Sequence, residues 1–160
     1  MSSGAKEARL VELLAARGWH ITFAESCTGG MAAARLVGAP NASAVFDASF
    51  VTYANEAKVQ LLGVSPASID AHGVVSETVA AEMAAGAAKA TGAQVGVGVS
   101  GIAGPTGGTP EKPVGTVCFG FYLGGTCFTA TRHFGAIGRN AVREASVEYV
   151  YDTLLRQMEK

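Results

Sequence analysis

Ala24-Glu25-Ser26-Cys27-Thr28-Gly29-Gly30 follows the apolar run that begins at Ile21 and precedes a helical segment, Met31 to Val37. A strand, a sharp turn and a helix start therefore share ten residues, with three hydroxyl or thiol groups at the bend. A βα unit of this kind points to an α/β fold. Helix N-termini present unpaired N–H groups and a positive dipole end, so negative charge developing at the bend is favoured. By that argument the N–H groups around Thr28 and Gly29 are candidates for an oxyanion hole. The plain alternative is that Ser and Thr merely cap the helix.

Working outward, Ala5 to Arg17 carries Leu10, Val11, Leu13 and Leu14 at helical spacing and stops at Gly18. His20 to Ala24 reads as the first strand. Ala44 to Tyr53 is rich in β-branched and aromatic residues and reads as a long strand, after which Asn55 is expected to cap a helix through Leu62. Pro66 to Ala71 reads as one or two helical turns. Ser76 is expected to cap the alanine-rich helix that runs to about Thr91, whose alanines suggest close packing on a flat surface or a neighbouring subunit. Gln94 to Ser100 alternates Val with Gly, as in a central strand that another backbone approaches. Val114–Leu123 and Thr126–Phe134 flank Gly124-Gly125 as a hairpin, and the last helix spans about Arg139 to Gln157. The expected architecture is a three-layer α/β/α sandwich with a mixed sheet, residues 1–160 forming one domain.

Composition narrows the function. Twelve Lys and Arg against 13 Asp and Glu give a net charge of −1, without the basic stripe of a nucleic-acid binder. No apolar run reaches the length of a membrane span, and the N-terminus lacks a signal-peptide pattern. Cys27, Cys118 and Cys127 have no metal-ligand spacing, and their odd number argues against a disulfide framework, so a cytoplasmic location is expected.

Two further segments can carry chemistry. In Thr52-Tyr53-Ala54-Asn55-Glu56-Ala57-Lys58 the lysine falls in the first turn of a helix. The dipole and partial burial both disfavour its ammonium, and a neutral lysine amine can serve as base to a serine. The alternative is a solvated surface lysine. The loop from Gly101 to Pro113, rich in Gly, Pro and Thr, can offer N–H groups to a ligand. It is not a Walker loop, lacking Gly-Lys-Ser/Thr, and it leads into a strand rather than the helix of a dinucleotide fingerprint. Cys27 competes as a nucleophile, because a helix N-terminus would lower a thiol pKa, although no histidine is placed as its base.

AESCTGG at 24–30, FVTYANEAKVQLLGV at 50–64, HGVVSE at 72–77 and SGIAGPTGGTPEKPVGTV at 100–117 together resemble the C-terminal domain of the competence-damage-inducible protein A (CinA) family. The enzymes of that family are nicotinamide-nucleotide amidases. The resemblance implies hydrolysis of the carboxamide of nicotinamide mononucleotide (NMN) to nicotinate mononucleotide and ammonia, without metal or cofactor. It implies Ser26 as nucleophile, Lys58 as general base and Tyr53 as a proton-relay or orienting hydroxyl. Gly30, Ser100, Gly101, Gly104, Gly107 and Gly108 would line the nucleotide pocket, with Thr116 and Arg143 reaching ribose or phosphate. Many relatives carry a further N-terminal domain, so this chain is expected to be the stand-alone form. Relatives also tend to have Gly-Asp-Arg before the last helix, where this chain reads Gly135-Ala136-Ile137-Gly138-Arg139. The partners expected are the nucleotide substrate and, from the apolar helices, further copies of the chain, with no nucleic acid or membrane. The rival readings are a non-catalytic pyridine-nucleotide sensor or partner module, and a serine amidase for another amide.

Overall fold

Valines and glycines alternate along Val95–Gly101 because the two faces of that strand meet different things. The computed structural model describes residues 3–160, with helices α1 (Ser3–Arg17), α2 (Met31–Val37), α3 (Asn55–Leu62), α4 (Pro66–His72), α5 (Glu77–Thr91) and α6 (Arg139–Met158). Strands β1 (Ile21–Glu25), β2 (Phe50–Val51), β3 (Val95–Gly101), β4 (Thr116–Leu123) and β5 (Thr126–His133) form one sheet in the order β2-β1-β3-β4-β5. β1 runs parallel to β2 and β3, and the hairpin adds β4 and β5 antiparallel. The sheet is mixed and lies between two helical layers, as the sequence leads one to expect.

Val95, Val97 and Val99 face α1, α2 and α6, joining Leu10, Leu14, Phe23, Phe119, Phe121, Val150 and Leu154 in the main core. On the opposite face, Gly96, Gly98 and Gly120 let the α5 backbone down onto the sheet. A Cβ on Gly98 would lie 2.2 Å from the Ala80 carbonyl oxygen, and one on Gly120 2.3 Å from the same atom. The alanines of α5 are thus explained by the sheet beneath them. The inner residues of α6, Val142, Val147, Val150, Leu154 and Leu155, are buried within the chain as well. The apolar faces from which oligomerisation was expected are therefore largely covered inside the chain.

Ser76 caps α5 as expected, its Oγ accepting from the Val79 N–H at 3.2 Å. Two local expectations are corrected. Ala44–Tyr53 is not a long strand: Ala42–Ala44 is a 3-10 turn, Phe46 makes a single bridge to Ile21, and only Phe50–Val51 pair regularly. This segment is the sheet edge, with β1 as its one neighbour. Val45 is buried in the core and Phe46 stacks edge-on to Phe23 at 6.2 Å, so its β-favouring residues serve packing rather than pairing. Asn55 is the first residue of α3 rather than its cap; Ala54 holds the cap position without a side-chain bond.

Candidate active site

The site lies at the carboxyl ends of the parallel strands β1 and β3, the usual ligand edge of an open α/β sheet. Ser26 follows β1 directly, and its N–H donates to the Val99 carbonyl at 3.1 Å, extending the sheet by one bond. The chain then turns through Gly29 (φ 59°) and Gly30 (φ 101°), left-handed conformations that glycine adopts without penalty.

Glu25 is fully buried and organises this turn. Its carboxylate accepts from Thr28 Oγ1 at 2.7 Å and from the Ala32 and Ala33 N–H groups at 2.9 and 3.1 Å. The open donors of α2 are therefore taken by the protein's own carboxylate and are not available to a ligand. The Gly29 N–H is also engaged, donating to the Ser26 carbonyl at 3.1 Å. Of the pair expected as an oxyanion hole, Thr28 retains its N–H. Among the described residues, the N–H groups of Cys27 and Thr28 have no backbone carbonyl partner. The sequence carried a signal for Glu25, a carboxylate ending an otherwise apolar strand, but its role depends on contacts made after the turn closes.

Lys58 reaches the same point from the first turn of α3 and is among the most completely buried side chains. Its Nζ lies 3.2 Å from Ser26 Oγ and donates to the carbonyls of Thr52 at 2.7 Å and Tyr53 at 3.2 Å. Burial pushes its pKa below the ordinary 10.5, with no carboxylate beside it to restore the charge. The Cys27 thiol behaves oppositely to the expectation from a helix terminus: burial pushes it up to about 11, outweighing the cations Arg143 and Arg139. It is a thiol at neutral pH, while Ser26 has the Lys58 amine nitrogen at hydrogen-bond distance.

A cavity of about 280 Å³ opens over Ser26, walled by Cys27, Tyr53, Val74, Val75, Gly101, Ile102, Gly104, Thr106, Gly107 and Arg139. Tyr53 is exposed at its rim. The Tyr53 hydroxyl accepts from Arg139 at 3.1 Å, while its carbonyl, not its hydroxyl, meets Lys58. The second arm of Arg139 donates to the Gly104 carbonyl at 2.8 Å, joining the glycine loop to α6. In sequence Arg139 is one of several cation candidates for the glycine loop, and nothing local places it opposite Tyr53.

The other expected pocket residues are not among those that line this cavity. Ser100 is buried and donates to the Val74 carbonyl at 2.8 Å, steadying a lining residue. Gly108 packs on Val114, and Gly30 faces Val51. Thr116 donates to the Pro113 carbonyl at 2.7 Å and meets His133 Nδ1 at 3.2 Å. Arg143 binds protein carbonyls at the turn. A larger depression of about 790 Å³, between Trp19, Lys89 and Tyr122, lies at the opposite end of the strands. None of the residues lining it is a serine or cysteine, whereas Ser26 and Cys27 both line the smaller cavity.

A family model described as the CinA C-terminal domain matches residues 4–158. The nicotinamide-nucleotide amidohydrolase PncC of Enterobacter agglomerans is 50% identical over 148 residues, which are 92% of this chain and 90% of that protein. A putative competence-damage inducible protein of Symbiobacterium thermophilum is 62% identical over 107 residues, 67% of this chain but 25% of that longer protein. The crystal structure of the competence/damage inducible protein CihA from Agrobacterium tumefaciens superposes with a TM-score of 0.94 at 36% identity, covering 100% of both chains.

Proposed function

The chain belongs to the CinA C-terminal domain family, and from that premise we propose that it is a nicotinamide-nucleotide amidase acting on NMN through Ser26 and Lys58. The observation that carries the reading is the 3.2 Å approach of a buried, charge-disfavoured lysine amine to a serine hydroxyl. That pair lies beside a glycine-walled cavity, in a chain half identical to an enzyme with that name.

In this mechanism Lys58 is neutral in the resting site. Its two N–H bonds serve the Thr52 and Tyr53 carbonyls, and its lone pair accepts the Ser26 hydroxyl proton. Ser26 Oγ attacks the carboxamide carbon as that proton moves to Nζ. The oxyanion is met by the N–H groups of Cys27 and Thr28. The lysine ammonium protonates the departing nitrogen, the C–N bond breaks, and ammonia leaves an ester on Ser26. Water then attacks the ester, giving a proton to Lys58, which returns it to Ser26 Oγ as nicotinate mononucleotide departs. Tyr53 and Arg139 form the rim where the ribose phosphate enters, and the Tyr53 hydroxyl orients that end of the substrate.

The test is release of ammonia and nicotinate mononucleotide from NMN by wild type, Ser26→Ala and Cys27→Ala. Wild type and Cys27→Ala turn over, and Ser26→Ala is silent. Turnover in Ser26→Ala would overturn the serine mechanism, and wild-type binding of NMN without product would replace the enzyme by a nucleotide sensor.

A further inference from the structure

We propose that Arg143 is a positioning residue that aims the Thr28 N–H at the reacting carbonyl, rather than a contact for the substrate's ribose or phosphate. The proposal rests on the amidase reading above and assigns a role within that site.

The geometry is a clamp on two consecutive carbonyls. Arg143 Nε donates to the Cys27 carbonyl at 2.8 Å, and Nη2 reaches the Thr28 carbonyl at 3.4 Å. Nη1 donates to Asn140 Oδ1 at 2.9 Å, so the guanidinium is held from its own helix as well. The fit against the turn is close, since a Cβ on Gly29 would stand 3.3 Å from Nη2.

The peptide joining Cys27 to Thr28 is trans, the structure's one cis bond among the described residues being Gly104–Pro105. In a planar trans peptide the C=O and the following N–H point in opposite directions. A cation fixed on the Cys27 oxygen therefore turns the Thr28 N–H away from α6. That N–H has no backbone carbonyl partner, whereas the Gly29 N–H, set by the second clamped peptide, closes on the Ser26 carbonyl. Glu25 holds the Thr28 side chain from the other side. Of the two N–H groups at the nucleophile's turn without a backbone carbonyl partner, that of Thr28 is thus fixed in direction. The guanidinium also polarises it, because a charged donor on the oxygen strengthens the N–H as a donor.

A substrate contact and a clamp predict different losses. In Arg143→Ala, kcat for NMN falls about ten- to a hundredfold, less than the 10²–10³ typical of deleting an oxyanion donor outright, because the donor remains but is no longer aimed. NMN affinity, measured by calorimetry in the inactive Ser26→Ala background with and without Arg143→Ala, stays unchanged. Arg143→Lys, which keeps the charge but loses the fork, falls between wild type and alanine. In ligand-free protein, the Thr28 backbone amide resonance moves and its order parameter drops in Arg143→Ala, and both recover partly in Arg143→Lys. If NMN affinity falls in step with kcat, Arg143 is a substrate contact and the proposal is wrong. An unmoved Thr28 amide in either variant overturns it equally, and the lysine variant supplies that readout if the alanine variant does not fold. Should wild type form no nicotinate mononucleotide, the amidase reading fails by itself, while the amide measurement still decides the clamp.

Discussion

Lys58 has three neighbours for its nitrogen. Two are carbonyl oxygens that can only accept, and the third is the Ser26 hydroxyl. A neutral amine, with two N–H bonds and one lone pair, satisfies all three. Burial holds the folded pKa below 10.5, so kcat/KM for NMN rises with pH through that lowered value and levels off above it. The sign for stability follows from the same shift. Between the lowered folded value and 10.5 the unfolded chain binds more protons at this residue, so the lysine's contribution makes stability rise with pH across that window. A pH–rate profile with a parallel series of urea midpoints checks both, and a stability contribution that falls with pH there, absent in Lys58→Met, would contradict the assignment. Ser26 and Lys58 were legible in the sequence because each sits at a motif beside a helix start. Their 32-residue separation gave no distance between them. The roles of Glu25 and Arg139 were not legible, since the partners that define them, Ala32 and Ala33 in one case and Tyr53 and Gly104 in the other, become neighbours only on folding.

At the scale of elements, the alternation of Val and Gly in β3 determined the packing of a whole layer. Valines fill the core shared with α1, α2 and α6, and glycines leave room for the α5 backbone. Gly98→Ala puts a methyl 2.2 Å from the Ala80 oxygen and 3.0 Å from the Ala84 nitrogen, both backbone atoms that cannot swing away. The expected cost is about 1–3 kcal/mol, the range for overpacking a close-packed interior, seen as a lower urea midpoint with an unchanged slope. Gly4→Ala, with nothing within 4 Å, is the comparison, and equal stability of the two variants would contradict the account. Helices, the hairpin and the central strand were readable because their periodicity comes from burial on one face. The edge segment misled for a related reason: Val45 and Phe46 are apolar to fill the core, and composition does not distinguish filling from pairing.

Across the whole molecule, residues far apart in sequence converge on one edge of the sheet. The serine turn follows β1, Lys58 comes from α3, the glycine wall from the β3–β4 loop, and Arg139 and Arg143 from the start of α6. The placement of α6 is set by ties along its length. Tyr151 donates to the Ala32 carbonyl at 2.7 Å, and Arg35 links Glu7 of α1 to Glu148 of α6 while stacking on the Tyr151 ring. The same helix that closes the core thus carries both arginines to the site, and a site of this kind depends on such rigid supports. The most direct test of the central claim is acid quenching of wild-type enzyme during NMN turnover, followed by peptide mass analysis. The account predicts that the peptide bearing Ser26 gains the mass of NMN less ammonia, localised to Ser26, and that Ser26→Ala shows no adduct. The same adduct on Cys27, or its persistence in Ser26→Ala, would contradict it.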